Sequence, residues 1–398
     1  MFKKIPHPSL KFTILASSFL ILSLLIGNIL LYGDSRAQNS QNKPSTFASD
    51  VPTPETIQSP QNGQSAGIEY FVNPTGSDQN AGTSPDLAFR TIQKALDQAT
   101  AGETINLAPG VYLQNFVSKR SGESGFPITI TGPKEAVVKG GANARVAEIN
   151  HSYITLSGFT LDGKFDSSNS ASGYRDKLLY ILGKEPKVGI TGTRIFNMAI
   201  RNAGGECVRL RYLVKFSEIA YNTIENCGIH DFVFGDGGKN GEGVYIGTAP
   251  EQLKDGKNPT SDPDESNNNW IHHNFFDTQG NECVDIKEAA AKNIIENNRC
   301  TGQKDSNSGG FDSRGENNIF RLNEIFDNKG AGVRLGGDEK GNGINNDIYL
   351  NIIRGNKSGG IKFQREPQGK VCGNTMEDNS KGDSVGSHGS EFKPTDPC

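Results

Sequence analysis

The stretch "NEIFDNKGAGVRLGG", residues 323–337, decides the fold. It opens on an asparagine, passes through a short apolar run and a polar turn, and closes with Val333 and Leu335 alternating with Arg334. Its first half recurs as "NMAIRN" from Asn197, "NTIENC" from Asn222, "NFFDTQ" from Asn274, "NRCTGQ" from Asn298, "NIIRGN" from Asn351 and "NTMEDN" from Asn374. Apart from one gap of 52, successive asparagines lie 23 to 28 residues apart, an interval that predicts a solenoid with one coil per repeat. Asparagine suits a sharp bend because it tolerates the left-handed backbone, and its amide can bond to the asparagine of the next coil. Leucine-rich repeats have a similar period, but their regular leucine spacing is missing. The apolar runs are two to four residues long and rich in β-branched residues, which predicts short strands.

The second half of the phrase recurs as "GECVRLR", "GEGVYIG", "NECVDIK", "GGFDSRG" and "SGGIKFQ". Alternation assigns Val208, Val244, Val284, Phe311, Val333 and Ile361 to the interior. The residues after them form an outward row: Arg209, Tyr245, Asp285, Asp312, Arg334 and Lys362. Two positions further along lie Arg211, Gly247, Lys287, Arg314, Gly336 and Gln364. "CVDIKEAAAK" from Cys283 contains a strong helix former in "EAAAK", but its place in the series makes "CVDIK" a strand and the rest a loop or a single helical turn. With coils about 4.8 Å apart, Asp285, Lys287, Asp312, Arg314 and Arg334 share a patch three coils deep. Its carboxylates suit a cation, its cations suit an acidic sugar, and Gly247 and Gly336 leave room beside it. Two long loops of the expanded coil, "IHDFVFGDGGKNG" and "TAPEQLKDGKNPTSDPDESNN", flank Tyr245.

Composition agrees with this reading. Glycine is frequent, at 48 of 398 residues, and apolar residues make up only 34%, as a chain of turns and short strands requires. A formal net charge of -4 argues against a general nucleic-acid binder. The chain begins "MFKKIPHPSLK", continues into the uncharged apolar run "FTILASSFLILSLLIGNILLY", and places Ser35 and Ala37 where a signal peptidase would cut. Residues 1–37 are therefore read as a signal peptide or an uncleaved anchor, and 38–67, rich in Gln, Ser, Pro and Thr, as a disordered linker. No cysteine precedes Cys207, which excludes a lipid-modified N-terminus. The remaining residues, 68–398, form one exported domain, whether secreted, periplasmic or at the cell surface. All six cysteines lie in it, so disulfides are expected. Cys372 and Cys398 staple the C-terminus in this reading, and the pairing of Cys207, Cys227, Cys283 and Cys300 stays open.

These repeats resemble the right-handed parallel β-helix of pectate-lyase-type proteins. "YFVNPTGSDQNAGTSPDLAFRTIQKALDQATAGETINLAPGVY" resembles their usual opening, with Phe89, Ile92, Leu96 and Ala99 on the inner face of a short capping helix. The fold class implied is all-β, a right-handed parallel β-helix solenoid with that helix at its N-terminal end. "GGFDSRGENNIFRLNEIF…GAGVRLGG" is similar to the chondroitinase-B and alginate-lyase type of polysaccharide lyase. The resemblance implies β-elimination on an acidic, uronate-containing polysaccharide, with the substrate carboxylate neutralised by calcium or arginine and a lysine or arginine as base. On that match Arg314 is the catalytic arginine, with Arg334 beside it. Asp285, Glu288 and Asp312 are the expected Ca²⁺ ligands, and Arg209, Tyr245 and Lys362 the expected substrate contacts. Ala289 or Ala290 falls where the resemblance expects the lysine base, so Lys287 must stand in for it or elimination is lost.

Three other functions compete. A polygalacturonase-type hydrolase needs paired aspartates, and no "NTD" or "DD" lies on these strands. A C5-epimerase wants a histidine near the patch, for which His230, His272 and His273 are candidates. A non-catalytic β-helix that binds polysaccharide at the cell surface is the third. The expected partner is an acidic polysaccharide, with no nucleic acid and with membrane contact only through an uncleaved N-terminal segment. The chain is read as a monomer.

Overall fold

Each coil turns three corners, and in the later coils side-chain amides hold all three. The computed structural model describes residues 67–398 except residue 338. The predicted signal or anchor and the linker lie outside the described residues, save residue 67. The described chain winds through three long sheets of 11, 10 and 10 strands, plus one two-stranded sheet. Successive strands of each long sheet come from successive coils and pair in parallel, as with Val284–Ile286 against Val244–Ile246 and Gly309–Ser313. This is the predicted parallel β-helix, in which each coil visits the 11-stranded sheet, then one ten-stranded sheet, then the other. The right-handed sense is the one that parallel crossovers adopt almost without exception.

Val208, Val244, Val284, Phe311, Val333 and Ile361 all fill the interior, as alternation predicts. At one corner Asn222, Asn274, Asn298, Asn323, Asn351 and Asn374 form a continuous ladder. Each amide donates to the next oxygen, for example Asn222 Nδ2 to Asn274 Oδ1 at 2.9 Å and Asn323 Nδ2 to Asn351 Oδ1 at 3.0 Å. A second ladder runs through Asn269, Asn293, Asn318 and Asn346, and a third through Asn328, Asn356 and Asn379. The stacking expected of these asparagines is present, but the left-handed backbone belongs to their predecessors. Tyr221, His273, Asn297, Leu322 and Leu350 have φ between 54° and 60°, whereas the ladder asparagines do not. The bend points each ladder amide inward, where it has no water to bond and must find the next coil. In the first repeat Asn197 itself takes φ 47°, and Met198 occupies the ladder position.

The helix Ile92–Gln98 buries Ile92, Ala95 and Leu96, and Phe89 and Ala99 are buried beside it, as expected of a cap. Thr91 caps it by accepting from the Lys94 N–H at 3.2 Å. "EAAAK" forms a turn rather than a helix. The disulfides join Cys207 to Cys227, Cys283 to Cys300 and Cys372 to Cys398, the last being the expected C-terminal staple. After the last coil the chain folds back over the end of the stack, with Phe392 stacked on Phe363 at 4.2 Å.

Candidate active site

The outward row lies on the second ten-stranded sheet in the predicted register: Arg209 beside Tyr245, then Asp285, Asp312, Arg334 and Lys362. It is not open to solvent along its length. The loops of the expanded coil fold over the sheet, so Arg209, Tyr245, Asp285 and Asp312 are buried on the outer face as well. Arg209 bonds Glu206 at 2.8 Å and Gln252 at 2.9 Å, and its guanidinium lies 3.4 Å from the Tyr245 ring centre. Arg211 is taken by Asp255 at 2.7 Å. Both arginines thus anchor the long loop, and Arg209 supports Tyr245 from behind.

What remains open is a cleft of about 290 Å³ whose walls include Tyr245, Asp285, Lys287, Asp312, Arg314 and Arg334. Lys287 Nζ sits 2.6 Å from Asp285 Oδ2 and 4.5 Å from the Tyr245 ring centre. Arg334 donates to Asp312 Oδ2 at 2.7 Å and to Gln364 Oε1 at 3.1 Å. Arg314 Nη1 lies 3.8 Å from Glu288. Lys362 is not itself in the cleft wall, but it donates to the carbonyl of Asn307, which is, at 3.1 Å. Gly247 and Gly336 have φ of 90° and 136°, and a Cβ at Gly247 would come within 3.3 Å of the Lys287 Cβ.

Glu242 and Glu282, two residues before the inward valines of their strands, were missed by the outward-row reading. With Asp285 they form a buried trio whose oxygens lie within 4.8 Å of one another. The signal is a glutamate recurring in "GECV", "GEGV" and "NECV", three residues before each member of the outward row. Of the three predicted calcium ligands only Asp285 is in this trio. Asp312 is engaged with Arg334 and Ser308, and Glu288 faces Arg314. Of the two places where a lysine was expected, Ala290 is packed in the hydrophobic core and Ala289 is half-buried.

The charges are strongly perturbed. Burial, then Glu206 and Asp285, pushes the Glu242 carboxyl up to about 7. Burial, with Asp285, Asp312 and Glu242 adding to it, holds Glu282 well above the usual carboxylate range. Burial opposes ionisation of Asp285 as well, but Lys287, Arg314 and Arg334 outweigh it and bring its carboxyl below the ordinary value. Burial works against the Lys287 ammonium, and Asp285 more than compensates, so Lys287 stays a stronger base than free lysine. Burial raises the Tyr245 hydroxyl to about 12. Three buried oxygens, Glu282 Oε2, Asp285 Oδ1 and Asp312 Oδ1, have no hydrogen-bond donor. An all-oxygen set with orphaned lone pairs fits a hard cation.

The histidines suggested for epimerisation are elsewhere. His272 and His273 stack with Trp270 and Tyr221 around the 11-stranded sheet, and His230 bonds the Ala171 carbonyl at 3.0 Å. No histidine lines the cleft among the described residues.

This geometry sits on a fold that solved polysaccharide lyases share. The chain superimposes on an alginate lyase from Paenibacillus with a TM-score of 0.57 and 18% identity, covering 74% of this chain and 96% of that one. For the pectate lyase Pel9A the TM-score is 0.52 with 16% identity, covering 81% and 80%. In sequence, 177 residues are 29% identical to YwoF, an uncharacterized protein of Bacillus subtilis, spanning 41% of this chain and 37% of YwoF. A further 64-residue match is 42% identical to the pectate lyase PEL9 of Emericella nidulans, spanning 16% of this chain and 15% of that enzyme. The chain thus spans well under two thirds of the curated relatives it matches. No family model matches it.

Proposed function

We propose that this chain cleaves a uronate-containing polysaccharide by β-elimination in the cleft. The carrying observation is the adjacency of Lys287 and Arg314 on neighbouring rungs, next to Tyr245 of the preceding rung and beside a buried acidic trio. Arg314 and Arg334 bind the substrate carboxylate, and their charge stabilises the enolate-like transition state. Lys287, after its ammonium has given up a proton to water, takes the proton alpha to the carboxylate. The freed electron pair forms the double bond, the glycosidic C–O bond breaks, and the departing oxygen takes up a proton from water. Tyr245, buried in the cleft wall with Arg209 packed on its ring, positions the Lys287 ammonium that lies 4.5 Å from its centre. Glu242, Glu282 and Asp285 would hold a calcium ion, which when bound supplies further positive charge to the substrate carboxylate. The three disulfides and the leader-like N-terminal sequence support export.

A second reading is favoured by the Lys287–Asp285 pair, which keeps the amine protonated: the cleft binds the polysaccharide without cleaving it. Absorbance near 235 nm on pectate, alginate and glycosaminoglycans decides between them. The proposal expects unsaturated product from at least one polymer, lost in Lys287→Ala and in Arg314→Ala. Binding of a polymer that needs Arg314, with no absorbance on any of the three, would establish the receptor instead.

A further inference from the structure

A second depression, of about 670 Å³, adjoins the cleft, and the two share Lys239 and Asp305 in their walls. Lys239 Nζ bridges to Asp305 at 2.6 Å, forming the sill between them. The floor beyond the sill is made by corner turns of successive coils that carry Lys304 and Lys329. The Lys304 N–H donates to Gly280 and the Lys329 N–H to Gln303, so each turn is stacked on its neighbour. The two lysines are one coil apart, about 4.8 Å along the axis. Both are exposed, and neither ammonium lies within ion-pair distance of a carboxylate among the described residues. Gln303 bonds into the third amide ladder through Asn328, which fixes the backbone beneath both lysines. One wall is apolar, with Phe232 half-buried and Val233 64% exposed. A chain with a net charge of -4 thus keeps two exposed lysines outside any close ion pair, and an apolar ledge, beside its cleft.

We propose that this depression is an extended binding groove for the same acidic polysaccharide, an inference that rests on the uronate reading of the cleft. The polymer leaves the cleft over the Lys239–Asp305 sill. Lys304 and Lys329 take carboxylates of successive sugars, and an apolar sugar face packs on Phe232 and Val233. Charge complementarity and continuity with the cleft select a polyuronate, and the rigid floor means that only the lysine side chains need to be ordered on binding.

The test compares the wild-type chain with the Lys304→Ala/Lys329→Ala double variant on a long polymer and on the shortest oligomer cleaved. The expected result is a KM for polymer raised roughly tenfold, the sum of two exposed ion pairs. The kcat is unchanged, the oligomer KM stays within about twofold, and the polymer effect fades at high salt. A Lys304→Arg/Lys329→Arg variant should restore most of the polymer affinity. An unchanged polymer KM, or an equal rise for both lengths, overturns the groove. Where no polymer is cleaved, affinity electrophoresis in polygalacturonate, alginate and chondroitin sulfate takes over. Retardation lost in the alanine variant then keeps the groove while ending the elimination reading, and failure of the wild type to bind any of the three ends both.

Discussion

Replacing Glu242 by Gln should make the metal-free protein more stable, and the gain should depend on pH in a defined direction. Burial and its acidic neighbours raise the Glu242 carboxyl from 4.5 to about 7 in the folded state. Its contribution is therefore at its best below about pH 4.5, where both states are protonated. It is lost as pH rises through about 7, where the folded protein must ionise a buried group. At about 1.4 kcal/mol per pH unit, that loss amounts to about 3 kcal/mol. Gln cannot ionise, so the variant avoids the loss. For a domain of this size about 3 kcal/mol corresponds to roughly 4 °C in Tm. Thermal melts of both proteins in EDTA should nearly coincide at pH 4.5 and separate progressively towards pH 7.5, with the variant higher. The groups with lowered carboxyl values, Glu206 and Asp285, act below this window and leave the difference untouched. Calcium at about a hundred times its Kd should then add about 2.7 kcal/mol to the wild type at pH 7.5 and much less to the variant. A difference in Tm that is flat across pH would refute the electrostatic account of the trio, and equal calcium responses would refute its role as the cation site.

Further consequences follow from the scaffold and the cleft. Asn298→Ala removes the acceptor of the Asn274 N–H and the side-chain donor to the Ile271 carbonyl, stranding buried groups that cost about 1–3 kcal/mol each. Urea unfolding should show a loss of at least about 3 kcal/mol. The Cys283→Ser/Cys300→Ser variant opens a link spanning 17 residues and should lose about 3 kcal/mol of stability on the loop-entropy estimate, read as a drop in Tm of a few degrees. Gly247→Ala puts a Cβ against Lys287 at a φ of 90°, so the 235 nm rate should fall more than the Tm does.

The fold was legible because it is written in buried groups that repeat. Val284 and Phe311 had to alternate with polar residues, and the ladder asparagines had to recur once per coil. The handedness of the bends was less legible, since Asn297 and Asn298 look alike in sequence yet only the first takes the left-handed backbone. At the site, the row from Tyr245 to Arg334 could be read directly from alternation. Its cover could not, because the burial of Arg209 depends on where a long loop lands, and Gln252 and Asp255 follow no period. Glu242 and Glu282 recur regularly but occupy the strand entry, where a side chain's direction depends on the preceding turn rather than on the strand's period of two.

The end of the first amide ladder has a consequence for assembly. Asn374 is its last member, and both its N–H and its Nδ2 donate to the carbonyl of Pro394 at 3.0 Å. Proline has no N–H to offer outward, so the tail accepts the final bonds of the corner and hands on none. A parallel solenoid otherwise presents the unpaired edges of all its sheets at each end, a template onto which another copy could add coil upon coil. The tail, tied down through Cys372–Cys398, acts as a chain terminator for that growth. Reduction of this disulfide should therefore appear first as concentration-dependent end-to-end oligomers in light scattering, before any loss of β-sheet signal.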